Sequence, residues 1–210
     1  MHQRETGQLH LPPEHLRKKS RSIYTIFQHF KPKKQPRKTR PTMAHASEEF
    51  RLVCPGIDHD GRLPRKYTDE GQGAKKNLSP PLEWYNLPAG TKTLALVVED
   101  IDAPDPSGPI VPWTCWVVAN IPVTLKGLPE GFSGKEEEVG GEYGGIKEGN
   151  NDMKVPGWRG PKLPTPGHRL EFRLYALDDE LHLGRKVTKE RLLEAIEGHV
   201  LGVAVLMAKV

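Results

Sequence analysis

Glycine and proline interrupt this chain so often that a loop-rich, mostly β protein is favoured over a helical bundle. The sequence holds 21 glycines and 20 prolines among 210 residues, whereas average usage of the two together is roughly 12%. Both residues are unfavourable inside helices and favourable in turns. The chain is therefore expected to form strands joined by long surface loops.

Several further classes of protein are disfavoured by what the sequence lacks. No stretch approaches the roughly 18 to 20 consecutive apolar residues that a membrane-spanning helix needs. The N-terminus has no apolar core of a secretory signal, since its longest uncharged run, Ser22–Phe30, is interrupted by Gln28 and His29. Two cysteines, Cys54 and Cys115, are too few for a disulfide scaffold or a cysteine-only zinc site.

The net charge is divided unevenly along the chain. The whole sequence carries +4, but residues 1–43 hold eleven Lys and Arg against two Glu, a net charge of +9, and residues 44–210 hold 20 basic and 25 acidic residues, a net charge of −5. Lys31–Arg40 (KPKKQPRKTR) combines six like charges with two prolines, so it cannot bury apolar surface. We expect a basic, disordered N-terminal extension at 1–43 and a folded domain at 44–210.

The extension has four interpretations. It is a solvated segment upstream of an alternative start at Met43, an organelle-targeting peptide, a nuclear import signal at Lys31–Arg40, or a contact for nucleic acid or a membrane surface. Arg17–Phe30 has the spacing of a short amphipathic helix. The acidic domain is not expected to bind nucleic acid, and a cytoplasmic location is expected unless the extension directs the protein to an organelle or the nucleus.

The apolar patterning of the domain predicts a mainly antiparallel β protein. Arg169–Leu177 alternates polar and apolar residues, as a half-buried strand does. One late helix is expected after the N-cap Thr188, with Gly198 at its end. Pro122–Gly167 lacks convincing periodicity and is expected to be surface loop. The segments that predict strands are Phe50–Cys54, Arg62–Thr68, Leu82–Tyr85, Thr93–Glu99, Trp113–Ile121, Arg169–Leu177 and Val200–Val210.

Three carboxylates follow the apolar strand Thr93–Glu99, in the sequence Glu99-Asp100-Ile101-Asp102-Ala103-Pro104. Strand alternation places Asp100 and Asp102 on one face. The cluster is either a solvated turn or a place where one carboxylate orients a histidine. Calcium binding is less favoured, because the oxygen spacing of an EF-hand loop is absent.

His168 is the best candidate for a functional histidine. It opens the half-buried strand Arg169–Leu177 and follows the glycine-rich sequence Gly157-Trp158-Arg159-Gly160-Pro161. Glycine lets backbone approach a ligand and exposes N–H donors, so this arrangement is suited to an anion. The alternative is that His168 is an ordinary satisfied polar residue.

Cys115 lies in the middle of the strand Trp113–Ile121. A cysteine there is most simply a small core thiol. With His168 and Asp100 it makes a formal Cys/His/Asp set, but no glycine-rich turn would expose it as a nucleophile. Catalysis by Cys115 is therefore the less favoured interpretation.

These motifs, in this order, resemble the phosphatidylethanolamine-binding protein family, also called Raf kinase inhibitor-like proteins. The resemblance covers roughly residues 48–210 and its loop spacing is closest to the bacterial-type branch and its plant relatives. The matching motifs are Asp100-Ile101-Asp102-Ala103-Pro104, Trp113–Pro122, Gly160-Pro161 with Gly167-His168-Arg169, and Asn77-Leu78-Ser79-Pro80-Pro81-Leu82-Glu83-Trp84.

The resemblance implies a large antiparallel β-sandwich with a C-terminal helix, long surface loops and a small pocket for phosphate-like anions. No cofactor, metal or catalytic residue is implied. A carboxylate beside the pocket histidine favours its charged form, which suits a phosphate oxygen, and backbone donors are expected near Gly160. The implied ligand-binding residues are Asp100, Asp102, Trp113, Cys115, Gly160, Pro161 and His168.

Two positions depart from the family pattern. Cys115 stands where the family has a second pocket histidine, and Leu170 stands where it has an aromatic residue. Because a neutral thiol replaces one potential cation, weaker binding of dianionic phosphates is expected than in relatives with two histidines. The loss of the ring at Leu170 also alters the expected headgroup preference.

The main functional hypothesis is a non-enzymatic regulatory protein that binds a phosphate-bearing small molecule or a phospholipid headgroup, with a regulatory protein as a further partner. One alternative is a kinase or protease inhibitor, or a scaffold, that acts through its surface. A less favoured alternative is a hydrolase that uses Cys115 and His168.

Overall fold

A computed structural model describes residues 49–69, 77–103, 112–134, 141–161 and 167–210. The expectations for the basic extension, its amphipathic helix and its disorder lie outside the described residues. The boundary at residue 44 also lies outside them and stays a prediction.

The described residues form nine strands, one α-helix and two short 3-10 turns. The helix, α1, spans Lys189–Ala195, and the 3-10 turns are Arg65–Tyr67 and Gly141–Tyr143. The strands are β1 Arg51–Val53, β2 Gly61–Arg62, β3 Leu82–Tyr85, β4 Thr93–Asp100, β5 Trp113–Pro122, β6 Gly127–Leu128, β7 Lys147–Gly149, β8 Arg169–Leu177 and β9 Val200–Lys209.

These strands form two sheets. The smaller sheet has the order β1-β3-β6, and the larger has the order β2-β9-β8-β4-β5-β7. Every pairing is antiparallel except the short parallel contact between β2 and β9. The predicted mainly β, antiparallel sandwich is thus confirmed.

Two apolar clusters hold the sheets in place. Side chains of both sheets, including Trp84, Trp116 and Phe172, share the larger cluster. The opposite face of the larger sheet packs against α1, where Leu192 is fully buried, and against the loop that contains Leu181. Burying apolar surface of this kind is worth about 25 cal/mol per Å², so the central strands β4, β5 and β8 form a rigid platform.

Most of the predicted elements are confirmed. The bounds of β3 and β8 agree with the sequence prediction, and the other long strands differ by one residue at an end. Thr188 caps α1, because its side chain accepts a hydrogen bond from the backbone N–H of Arg191. Gly198 adopts a φ of +84° after the helix, as a left-handed terminator does.

Two predictions about the loops are wrong. Arg62–Thr68 is not a strand, because Pro64 lacks an N–H and its carbonyl accepts from Tyr67 N to form a 3-10 turn. Pro122–Gly167 is not all loop, since it contributes β6 and β7. Strands of two or three residues leave no periodic pattern, so only their partners β3 and β5 reveal them.

No helix among the described residues is long and apolar enough to cross a membrane.

Candidate functional site

Three strand ends meet where the sequence predicts a site. Asp100 is the last residue of β4 and lies between its register partners Trp113, the first residue of β5, and Leu170 of β8. His168 immediately precedes β8. Antiparallel pairing therefore brings together residues that are far apart in the sequence.

The centre of the site is a contact between Asp100 and His168. The Nδ1 atom of His168 lies 2.9 Å from Oδ2 of Asp100, and their side chains are 17% and 7% exposed. The backbone carbonyl of His168 accepts a hydrogen bond of 2.8 Å from Val210 N. Among the described residues, the second ring nitrogen, Nε2, has no hydrogen-bond partner, so it is available to a ligand.

Asp102 is committed to a different contact. Its carboxylate accepts hydrogen bonds from Nε of Arg169 at 2.7 Å, from the terminal nitrogen NH2 at 2.8 Å and from the backbone N–H at 3.0 Å. These bonds hold the pKa of the Asp102 carboxyl below its usual range. Asp102 therefore stays ionised and fixes the start of β8, while its own N–H donates to Oδ1 of Asp100 at 3.1 Å.

Trp113 flanks the pair with an indole that is 42% exposed. Thr114, the next residue, makes two hydrogen bonds with Asp152. Its N–H donates to Oδ2 of Asp152 at 2.8 Å, and its carbonyl accepts from Asp152 N at 3.1 Å. Trp113 thus belongs to a firmly held strand end and lies opposite Asp100 in the β4–β5 pair.

Cys115 is brought to the site but is sealed from solvent. Its side chain is fully buried, and its thiol donates to the carbonyl of Trp113 at 3.7 Å. Burial and then the charge of Asp100 raise the pKa of the Cys115 thiol. The thiol is therefore neutral. A buried thiol with a raised pKa is also unsuited to nucleophilic attack.

Gly160 and Pro161 lie under a tight loop contact. A Cβ added at Gly160 would fall 1.9 Å from the carbonyl oxygen of Tyr67, so only glycine allows this approach. The backbone N–H of Gly160 is engaged within the protein, because it donates to Oδ1 of Asn77 at 3.0 Å. The carbonyl of Pro161 accepts from Asp69 N at 3.1 Å.

The remaining donors of this glycine-rich loop are also occupied. The backbone N–H of Trp158 donates to Oγ of Ser133 at 2.6 Å, and Arg159 N donates to the carbonyl of Cys115 at 2.9 Å. The Trp158 indole packs edge-on to Trp116 and stacks with Phe172, with ring centroids 5.8 and 6.2 Å apart. The loop therefore supports the site and leaves binding to side chains.

Sequence reasoning missed three supporting residues. Asn77 lies in a motif that resembles the family, yet its amide was not assigned to the site. Ser133 carries no pattern that would have identified it. Glu148 is buried, and its carboxylate accepts hydrogen bonds from Gly134 N at 2.7 Å and from the Trp116 indole.

Two concave surfaces of about 410 Å³ each lie elsewhere on the described chain. One is lined by residues that include Cys54 and His59, and the other by residues that include Tyr85 and Tyr143. Neither includes Asp100 or His168. Within the ranges that the structure describes, no three His, Cys, Asp or Glu side chains are grouped to hold a metal ion. The assignment of the seven predicted ligand-binding residues stays a prediction.

Comparison with known proteins agrees with this architecture. The family model described as phosphatidylethanolamine-binding protein matches residues 55–210. A UPF0098 protein of Methanothermobacter thermautotrophicus is 44% identical over 147 residues, which cover 70% of this chain and 89% of the relative. A crystal structure of a phosphatidylethanolamine-binding protein homologue from Chlamydia trachomatis is 32% identical with a TM-score of 0.65, covering 77% of this chain and 96% of that one.

The crystal structure of Escherichia coli YbcL, described as a member of the mammalian family, is also similar. It is 27% identical with a TM-score of 0.64 and covers 77% of this chain and 97% of its own. The described relatives come from bacteria and archaea, in agreement with the predicted branch, whereas similarity to plant members stays a prediction. Because the family model matches residues 55–210 and these relatives cover 70% or more of the chain, the chain belongs to the phosphatidylethanolamine-binding protein family.

Proposed function

We propose that this protein binds a phosphate-bearing small molecule or a phospholipid headgroup at the Asp100–His168 pair, and that it regulates partners instead of catalysing a reaction. The observation that supports binding is the half-buried His168, whose Nδ1 faces the Asp100 carboxylate at 2.9 Å. With Nδ1 facing the carboxylate, Nε2 is the ring nitrogen that can donate a proton to a phosphate oxygen.

The negative charge of the domain means that attraction of an anion has to come from groups at the site itself. Residues 44–210 carry a net charge of −5, so the domain's overall field does not attract anions. The backbone donors of the 157–160 loop are engaged within the protein. Affinity therefore depends on His168, with Trp113 as an apolar flank for the rest of the ligand.

Replacing His168 tests the proposal. Isothermal titration calorimetry with inorganic phosphate and with phosphoethanolamine should show binding to the wild type and at least a tenfold loss of affinity in His168→Ala, because the ring donor is removed. Inorganic phosphate tests the shared phosphate chemistry, and phosphoethanolamine tests the headgroup source.

The chain offers a matched control. His199 also contacts a carboxylate, with Nδ1 2.8 Å from Oδ1 of Asp178, at the opposite end of β8. His199→Ala should leave phosphate affinity unchanged. Equal affinity of His168→Ala and wild type would show that the pair is not the binding site.

Thiol labelling tests the non-enzymatic part of the proposal against the Cys115 hydrolase. Burial raises the pKa of the Cys54 thiol to about 12, and it also raises the pKa of the Cys115 thiol. Both should react with iodoacetamide at neutral pH much more slowly than in the unfolded chain, as measured by intact-protein mass spectrometry. Rapid modification of Cys115 in the folded protein would instead support the hydrolase.

The proposal includes a cytoplasmic location and a regulatory protein partner. Fluorescence microscopy of the full chain and of a variant without residues 1–43 tests the location. Affinity capture with wild type and His168→Ala tests whether a partner uses the anion site; capture that is independent of His168 would favour a surface-acting inhibitor or scaffold.

A further inference from the structure

Asp102 and Arg169 form an ion pair directly beside the Asp100–His168 pair. Asp102 lies two residues after Asp100, and Arg169 follows His168 in the sequence. Nε of Arg169 donates to Oδ2 of Asp102 at 2.7 Å, and its terminal nitrogen donates to Oδ1 at 2.8 Å. A planar guanidinium that makes two parallel bonds to one carboxylate fixes the orientation of both groups as well as their distance.

Backbone hydrogen bonds connect this ion pair to the residues of the proposed anion site. Arg169 N donates to Oδ2 of Asp102 at 3.0 Å, and the carbonyl of Arg169 accepts from Ile101 N at 3.0 Å. Both backbone groups of the residue next to His168 are therefore bonded to the two residues that follow Asp100.

The two oxygens of the buried Asp100 carboxylate are divided between two partners. Oδ1 accepts from Asp102 N at 3.1 Å, and Oδ2 faces Nδ1 of His168 at 2.9 Å. Because the backbone N–H of Asp102 holds one oxygen, the direction of the other oxygen toward the ring is set by where Asp102 lies. The Asp102–Arg169 ion pair fixes that place relative to the start of β8.

We infer that Asp102 is a positioning residue of the proposed anion site, which acts through Asp100 and His168 and does not touch the ligand. The inference rests on the proposed function. The Asp102 carboxylate is engaged by three N–H groups of Arg169, and a carboxylate in contact with a phosphate would repel it. Removing the charge of Asp102 should therefore strengthen binding if Asp102 touches the ligand, but weaken binding if Asp102 positions the pair.

Titration calorimetry with inorganic phosphate at pH 7 separates these two roles. Asp102→Asn should lower the affinity at least fivefold, because the new NH2 group cannot accept a hydrogen bond from Arg169. Arg169→Gln should lower the affinity by a similar factor, although the two substitutions change the net charge in opposite directions. The double variant should lose no more than the larger single loss, since each substitution removes the same contact.

NMR of the ring nitrogens tests the positioning without a ligand. The resonances of His168, assigned by comparison with His168→Ala, should shift in Asp102→Asn and in Arg169→Gln. Those of His199, which contacts Asp178 at the other end of β8, should stay in place. A wild type that binds no phosphate but shows these shifts would overturn the proposed function and support the positioning role.

Asp60→Asn is the matched control. The charge of Asp60 helps to raise the pKa of Arg169, but Asp60 takes no part in the three hydrogen bonds that join Asp102 to Arg169. Its neutralisation should leave the His168 resonances in place and should not weaken phosphate binding.

Unchanged or tighter phosphate binding by Asp102→Asn, or His168 resonances that do not move, would overturn the inference. Circular dichroism checks that each variant is folded at pH 7. If Asp102→Asn does not fold, Arg169→Gln decides between the same outcomes through the His168 resonances, because it removes the same contact and leaves Asp102 in place.

Discussion

Within the part of the chain that the structure describes, only one ring nitrogen of His168 has a hydrogen-bond partner. Nδ1 faces Asp100 at 2.9 Å, and the backbone carbonyl is bonded to Val210 N. The facing carboxylate orients the ring and leaves Nε2 as the nitrogen that can donate to an anion. The buried thiol of Cys115 does not reach solvent.

The Asp102–Arg169 contact predicts a pH dependence of stability. Because the folded pKa of Asp102 is depressed, its contribution is fully present above the unfolded value of about 3.9 and is lost as pH falls through the lower folded pKa. Asp102→Asn should therefore lower the free energy of unfolding at pH 7, and its difference from wild type should shrink below pH 4.

Urea denaturation from pH 7 to pH 3 measures this difference. Arg169→Gln should cause a similar loss, and the double variant should lose less than the sum of the two, as coupled partners do. Additive losses, or a difference that does not change with pH, would show that the contact does not stabilise the fold.

At the scale of elements, the glycine-rich loop serves as a support for the strand ends. Its Trp158 indole packs between Trp116 and Phe172 and donates to Tyr67 O at 3.1 Å. Gly160 then passes against the 3-10 turn that ends at Tyr67. The turn at Arg65–Tyr67 and the loop at 157–160 thus hold each other in place.

Gly160→Ala should destabilise the protein by about 1–3 kcal/mol, the usual cost of overpacking. The new Cβ would meet the Tyr67 carbonyl at 1.9 Å and Thr68 Cα at 2.9 Å, both backbone atoms that cannot easily move. Chemical denaturation measures the loss.

Gly56→Ala separates crowding from backbone strain. Gly56 has a φ of +85°, but an added Cβ there would meet nothing within 4 Å, so its cost is about 1–2 kcal/mol of conformational strain. If Gly160→Ala lowered the free energy of unfolding less than Gly56→Ala does, the close contact between Gly160 and Tyr67 would be contradicted. Weaker phosphate binding by Gly160→Ala, in calorimetry, would further link the loop to the site.

At the scale of the whole molecule, two sheets of unequal size leave different surfaces open. The central strands β4 and β8 are covered on both faces, and their ends carry the proposed anion site. β9 lies near the margin and exposes an apolar stripe.

The sequence by itself determined the long strands, the Thr188 cap and the residues around His168, because alternation, capping and motif spacing are local properties. It also placed the chain in its family. It did not reveal β6 or β7, which are too short to show a period and exist through their partners.

Only the tertiary structure decided which polar groups near the site are engaged within the protein and which are available to a ligand. Asp100 and His168 are 68 positions apart and meet because β4 and β8 pair. Gly160 N is taken by Asn77, 83 positions away, and Cys115 is enclosed by core packing. Hydrogen-bond satisfaction and burial depend on neighbours that are distant in the chain, and no local pattern encodes them. The sequence of β9 is largely apolar, but only the place of β9 in the sheet decides which of its residues face the core and which are exposed.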